Sequence, residues 1–348
     1  MRLLKKTLPR HLVLLALGVV GVVVLTGAVG DYQAYQLAQL GAYLCAAAGL
    51  TVLTGSNGQV SLGHAALMAI GAYTVAVLQT RFSDAAVTGQ WVLPVSLLAA
   101  VVVSTVAGAV FGVAAARLRG PYLAGATLAL GVALPGITSH YSGFFKGDQG
   151  LSVFLPPVPD SLGVDFPLER WQAWITCLGA LIVYVLLANL MRSRYGRAFR
   201  AVRDDEVAAE LAGLHVARVQ VLAFVVSAAC AGLGGGLFVV VTQLAAPGAF
   251  ALTLSVALLA AVVLGGLGSL WGAALGSAAI VLIPQWSDDL SKSLSLSSNV
   301  QANLALAVYG ALLIGVMLAA PRGLAGAFDW VHQQVRRAST RREEEEQA

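Results

Sequence analysis

Every Asp, Glu, Lys and Arg in this chain lies between long apolar runs, and none falls inside one. A helix needs about 20 mostly apolar residues to cross about 30 Å of hydrocarbon, and several runs reach that length. Of the 348 residues, 58% are hydrophobic and 11% charged, more apolar surface than one water-soluble core can hide. The runs are too long and too continuous for barrel strands, which alternate over roughly ten residues. The expected fold is therefore an all-α, polytopic membrane helical bundle.

Candidate spans cover residues 11–30, 34–53, 64–80, 91–116, 121–141, 171–191, 219–243, 249–267, 271–285 and 300–320. The expectation is ten crossings. The eighth and ninth are interrupted by Gly265, Gly266 and Gly268, and 271–285 would rise only about 22 Å as a helix. Read as a pair of re-entrant half-helices, they would leave eight crossings. In either arrangement, Arg81, Lys146, Arg170 and Lys292 face away from the termini, and the rest of the 21 Lys and Arg residues share the side of the termini. The positive-inside rule then places both termini and the loop 192–218 in the cytoplasm and the proline-rich loop 142–170 outside.

Residues 1–326 read as one membrane domain, and the charged tail 327–348 as a disordered cytoplasmic end. The N-terminal MRLLKKTLPR and the apolar stretch behind it imitate a signal peptide. That stretch runs to about 20 residues, longer than the usual 7 to 15, so it reads as an uncleaved first span. Cys45, Cys177 and Cys230 sit singly in apolar runs and read as core residues.

Several function classes are excluded or disfavoured by what the runs contain. The basic residues flank spans and draw no groove with interleaved aromatics, so nucleic acid is not an expected partner. An ion-driven porter usually keeps ionisable side chains inside its spans, and here His64 is the nearest exception, reading first as a hydrogen-bonded structural residue. No GxxxxGK[ST] phosphate loop is present, so any ATPase that drives transport is a separate chain. A membrane enzyme would need a paired catalytic constellation in the spans, and none is present.

The loop 192–218 reads as a short amphipathic helix suited to docking in a cleft of a soluble partner. Asp204, Asp205 and Glu206 load its first turn with negative charge, at the positive end of the helix dipole. Val207, Leu211 and Leu214 recur at helical spacing on one face, Ala208, Ala209 and Ala212 form a small-residue core, and Gly213 suits a helix end. Arg203 and its neighbours Arg194, Arg197 and Arg200 read as topology anchors.

A second polar interruption, TGSNGQ at 54–59, leads into SLGHAAL. There Ser61 is placed to cap a helix beginning near His64, and exposed N–H groups with unwound carbonyls would suit a zwitterion. Ser56, Asn57, Gln59, Ser61 and His64 are accordingly the candidate substrate-pathway residues, against the plainer reading of 54–63 as a cytoplasmic turn. SLGHAAL at 61–67 is echoed by SLWGAAL at 269–275, a short match that would fit an internal repeat.

Ala208, Ala209 and Gly213 match the small-residue core of the EAA loop of bacterial ABC-transporter permeases. The surrounding GRAFRAVRDDEVAAELAGLHVARVQVLAFVVSAACAGLGGGL resembles the branched-chain amino acid permease family of LivM and LivH type. LTGSNGQVSLGHAALMAIGAY at 53–73 and VVLGGLGSLWGAALG at 262–276 resemble that family's early and late motifs. GDQGL at 147–151 and PRGLAG at 321–326 favour its LivM branch. The acidic residue of the EAA triplet is displaced: Val207 stands in its place and Glu206 one position earlier.

The resemblance implies a permease subunit of an ATP-driven importer in the bacterial cytoplasmic membrane. It also implies a homologous permease, two ATPase subunits and an external solute-binding protein as partners, and no cofactor on this chain, ATP being used by the partners. The implied cargo is branched-chain, hydrophobic amino acids, with urea or short amides as the nearest rivals. A stand-alone secondary carrier or channel is the rival class, and ATP dependence of uptake separates the two.

Overall fold

In a computed structural model, the described residues are 7–294, except 88, 119, 120 and 164, with scattered positions between 304 and 326. The tail 327–348 and most of the last candidate span lie outside them. Among the described residues the chain is helical apart from turns, loops and one two-residue β-ladder. The first helices are α1 (Thr7–Ala28), α2 (Asp31–Leu50), continued by a π-helical turn over Thr51–Ser56, α3 (His64–Asp84), α4 (Val92–Ala115) and α5 (Pro121–His140). After a short α6 (Ser142–Phe145) come α7 (Leu168–Arg192), α8 (Arg194–Asp204), α9 (Glu206–Leu211) and α10 (Val216–Thr242). The hairpin of α11 (Leu252–Gly265) and α12 (Leu270–Ser293) follows.

Eight helical segments among the described residues are long and apolar enough to cross a membrane, Pro247–Gly265 and Leu270–Ser293 among them. The protein is a multi-pass membrane protein. Both segments of the glycine-interrupted pair are therefore long enough for full spans, which removes the reason for reading them as half-helices. The sequence underestimated the second because α12 continues through Pro284 and past Asp288 and Asp289 to Ser293.

The bundle has two distinct ends. One carries α8 and α9 and is called the arginine end. The opposite end carries the antiparallel strands β1 (Leu151–Ser152) and β2 (Leu244–Ala245), together with an Arg170–Asp31 ion pair at 3.8 Å. At that end Gln172 Nε2 donates to the Val240 carbonyl at 2.8 Å, and Gln36 is hydrogen-bonded to Gln285, joining α7 to α10 and α2 to α12.

Helix α10 sits at the centre, packed against α2, α3 and α4. Between apolar helices in lipid, water expulsion supplies no drive, and association depends on close van der Waals contact, which small residues permit. A methyl on Gly71 of α3 would overlap the Gly232 carbonyl of α10, and one on Gly235 would overlap the Met68 carbonyl of α3. On α4 the buried residues Ser96, Ala100, Ser104, Gly108 and Gly112 recur every fourth position. The exposed Leu98, Val102, Val106 and Val110 keep the same period on the opposite face. Small residues thus face the bundle and large apolar ones face outward, the reverse of a soluble amphipathic helix.

The three cysteines take the packing role expected of them, Cys45 and Cys230 fully within the bundle and Cys177 half-buried. Charged side chains in the spans lie toward their ends, such as Arg81 and Asp84 of α3, Arg192 of α7 and Lys292 of α12.

Candidate functional site

The two polar interruptions singled out in the sequence meet at the arginine end. At the end of α2 the helix widens into a π-turn, a local geometry frequent where helices serve a function. The chain then reverses at Asn57 and Gly58, the latter at φ +79°, a conformation glycine adopts at little cost. The reversal is held by bonds within the segment: Gln59 N–H donates to the Leu53 carbonyl at 3.1 Å, and the Thr54 hydroxyl to the Gln59 carbonyl at 2.9 Å.

From there residues 59–63 run back into the bundle without helical structure. His64 Nε2 lies 3.0 Å from the Ala46 carbonyl, ten residues before the end of the Asp31–Ser56 helix, or roughly 15 Å along its axis. Helix α3 therefore begins deep within the bundle, and 54–63 extends well beyond a plain surface turn.

Hydroxyls from two other helices stabilise this unwound stretch. Leu62 N–H donates to the Thr127 hydroxyl of α5 and Ala65 N–H to the Ser255 hydroxyl of α11, both at 3.0 Å. These bonds occupy two backbone donors near the start of α3, the kind of group the sequence reading offered to a carboxylate. Nor does Ser61 cap α3: Gly63 holds the cap position, pressed so close to Thr127 that a methyl would overlap its carbonyl, and the Ser61 hydroxyl finds no partner among the described residues. In the echoed segment Ser269 does cap α12, accepting from Gly272 N–H at 3.1 Å. The two serines play different roles, so the echo is not a structural repeat at this point.

The charged loop forms two helices where one was expected. Asp205 separates them, its carboxylate accepting from the N–H groups of Val207 and Ala208 at 2.8 and 3.0 Å. Asp204 is thus the last residue of α8, and only Glu206 lies in the first turn of α9. Val207 and Leu211 are 68% and 86% exposed, whereas Ala209 is buried and Ala208 and Ala212 are not. Gly213, at φ +86°, ends the helix as expected, and Leu214 turns back beyond it, its N–H donating to the Ala209 carbonyl at 3.0 Å. Leu214 therefore lies off the helix whose face it was expected to share.

One contact ties the loop to the break and a second ties the α11–α12 turn to it, and neither was visible as spacing. Arg203 Nη1 donates to the Gly55 carbonyl at 2.9 Å, while its Nε and Nη2 donate to Asp204. Gly55 also abuts Gly268 in the α11–α12 turn, where a methyl would overlap the Gly268 amide. The repeated glycines at 55, 58, 266 and 268 were the only sequence signal of this approach.

Between the break and the loop lies a cleft of about 330 Å³. Of the candidate pathway residues, Asn57 and Gln59 line it; Ser56, Ser61 and His64 are buried outside its lining. From the charged loop it takes Glu206, whose Oε1 accepts from Gln220 Nε2 at 2.8 Å. Sequence reasoning missed Gln220, Thr127 and Ser255 as parts of this region, because each is one of a few scattered polar residues in a mostly apolar helix.

A family model described as the permease component of the branched-chain amino acid transport system matches residues 33–317. The chain belongs to this family. It is 32% identical over 306 residues to the LivM permease proteins of the high-affinity branched-chain amino acid transport systems of Salmonella typhimurium and Escherichia coli, covering 81% of this chain and 67% of each relative. To the LivH permease protein of Escherichia coli it is 28% identical over 297 residues, covering 82% of this chain and 91% of the relative. The stronger likeness to LivM agrees with the GDQGL and PRGLAG motifs. No solved structure matches the chain.

Proposed function

We propose that this chain is the permease subunit of an ATP-driven importer that carries branched-chain amino acids across the bacterial cytoplasmic membrane. It works beside a LivH-type permease, two ATPase subunits and an external binding protein that delivers the cargo. Both termini and the arginine end face the cytoplasm. The family match carries this reading, and the exposed α9, with Val207 and Leu211 turned to solvent at the end richest in arginine, supports an ATPase docking there. A wholly apolar side chain held outward on a capped, charged loop is costly in water unless a partner covers it.

The proposed coupling element is Arg203 to Leu214, and the proposed pathway passes Asn57 and Gln59. The test is uptake of a labelled solute panel by vesicles holding the assembled complex, with and without internal ATP. ATP-dependent uptake of leucine, isoleucine or valine is expected. ATP-dependent uptake of urea or short amides alone would replace the cargo, and uptake indifferent to ATP would overturn the importer.

A further inference from the structure

The cleft at the arginine end supports more than a route. We propose that it is a binding station for the transported α-amino acid on the side of release, with the Glu206 carboxylate taking the ammonium and the Asn57 amide taking the carboxylate. This rests on the reading of the chain as an amino acid permease.

The chemistry of the cleft is divided. Among the described residues, Glu206 is the only charged side chain lining it, and no cation pairs with it. Its bond from Gln220 orients the carboxylate without neutralising it. Asn57 and Gln59 are 3% and 6% exposed, and both amide atoms of Asn57 and Oε1 of Gln59 lack a partner among the described residues. Polar atoms buried in this way are costly, and a ligand that offers both donors and acceptors relieves that cost. Across from these groups, Ala115 and Leu118 of the α4 end and Leu123 and Ala124 of α5 form an apolar wall.

A volume of about 330 Å³ is at the small end of ligand sites. One carboxylate, neutral amides that can donate and accept, and an apolar wall complement a small zwitterion with an apolar side chain. The lone carboxylate disfavours an anionic solute, and a neutral amide would leave its charge unmet. Glu206 is also the first residue of α9. When a partner moves α9, the counter-charge for the ammonium moves with it, so the loop that receives the ATPase stroke also sets affinity at the exit.

The test uses the full complex in proteoliposomes with binding protein outside and ATP inside, measuring leucine uptake and ATP hydrolysis. Glu206→Gln keeps an acceptor for Gln220 and removes the charge. Leucine uptake should fall roughly tenfold or more, as for loss of a charge-assisted hydrogen bond, while stimulation of ATP hydrolysis by loaded binding protein stays within about twofold. Ala124→Phe, which fills the cleft from α5, should lower uptake similarly, and Asp84→Asn in the last turn of α3, away from the cleft and the charged loop, should leave it unchanged. Parental uptake in both Glu206→Gln and Ala124→Phe would overturn the station. Equal loss of uptake and ATPase stimulation in Glu206→Gln would assign Glu206 to coupling alone and overturn it as well. If the parental complex takes up no apolar amino acid with ATP, the importer reading itself falls, an outcome distinct from the other two.

Discussion

Arg203 holds the carbonyl of Gly55 at 2.9 Å, so the last turn of α8 is bonded directly to the π-turn that opens the break in the second span. This bond gives a mechanical link between the loop proposed to meet the ATPase and the segment proposed to line the pathway. It joins positions 148 residues apart in sequence.

Arg203→Met keeps an unbranched, flexible side chain, shorter than arginine, and removes its donors. A hydrogen bond from a charged group contributes about 1.5–3 kcal/mol, so ATP-driven uptake should fall roughly tenfold or more while ATP hydrolysis continues. Uptake and hydrolysis measured on the same vesicles check this. Unchanged uptake would show that the bond is not on the coupling route.

Leu211→Glu places a charge on the most outward apolar residue of α9. Membrane insertion should be unaffected, and co-purification of the ATPase should drop with uptake, since burying an unpaired carboxylate opposes docking. Full recovery of the ATPase with this variant would remove α9 from the interface.

Sidedness can be read with an impermeant thiol reagent on intact cells, in a background lacking Cys45, Cys177 and Cys230. A cysteine at Ser161 should be labelled and one at Glu210 should not. Ser193 is a poorer probe, because its hydroxyl caps α8 by accepting from Tyr195 N–H. The reverse labelling pattern would invert the proposed orientation.

Ser255→Ala leaves the Ala65 N–H without its partner inside the bundle. A buried donor left unpaired costs about 1–3 kcal/mol, so thermal unfolding of the purified complex should shift downward, and Thr127→Val should act in the same direction through Leu62. If both variants melt with the parent, these hydroxyls do not hold the break.

The helices were legible because their signal is local: eight of the apolar runs form helical segments long enough to span, and Gly213 marked a helix end. The small-residue stripe of α4, from Ser96 to Gly112, was equally plain in the sequence, but it is easily overlooked when apolar residues are sought for an inward face. The end of α12 was misjudged because Pro284 and the aspartates resemble a stop, although they lie on a helix that continues into the polar layer. At the site, Asn57 and Gln59 stood out as polar residues in an apolar context. Gln220, Thr127 and Ser255 did not, because their role depends on which backbone groups of another helix the fold brings beside them. The same holds for Glu206, whose place in the cleft follows from the bend at Asp205 rather than from its neighbours in sequence.

At the arginine end Gly55 touches Gly268, and Gly323 lies against Gly266 so tightly that a methyl would overlap it. Contacts between bare backbones have no side-chain torsion with which to absorb a small displacement. A shift of the α11–α12 turn by the width of a methyl group must either carry its neighbours along or part from them. Such a junction favours two discrete positions over a continuum. A permease built this way should snap between states, and its intermediate postures should be brief.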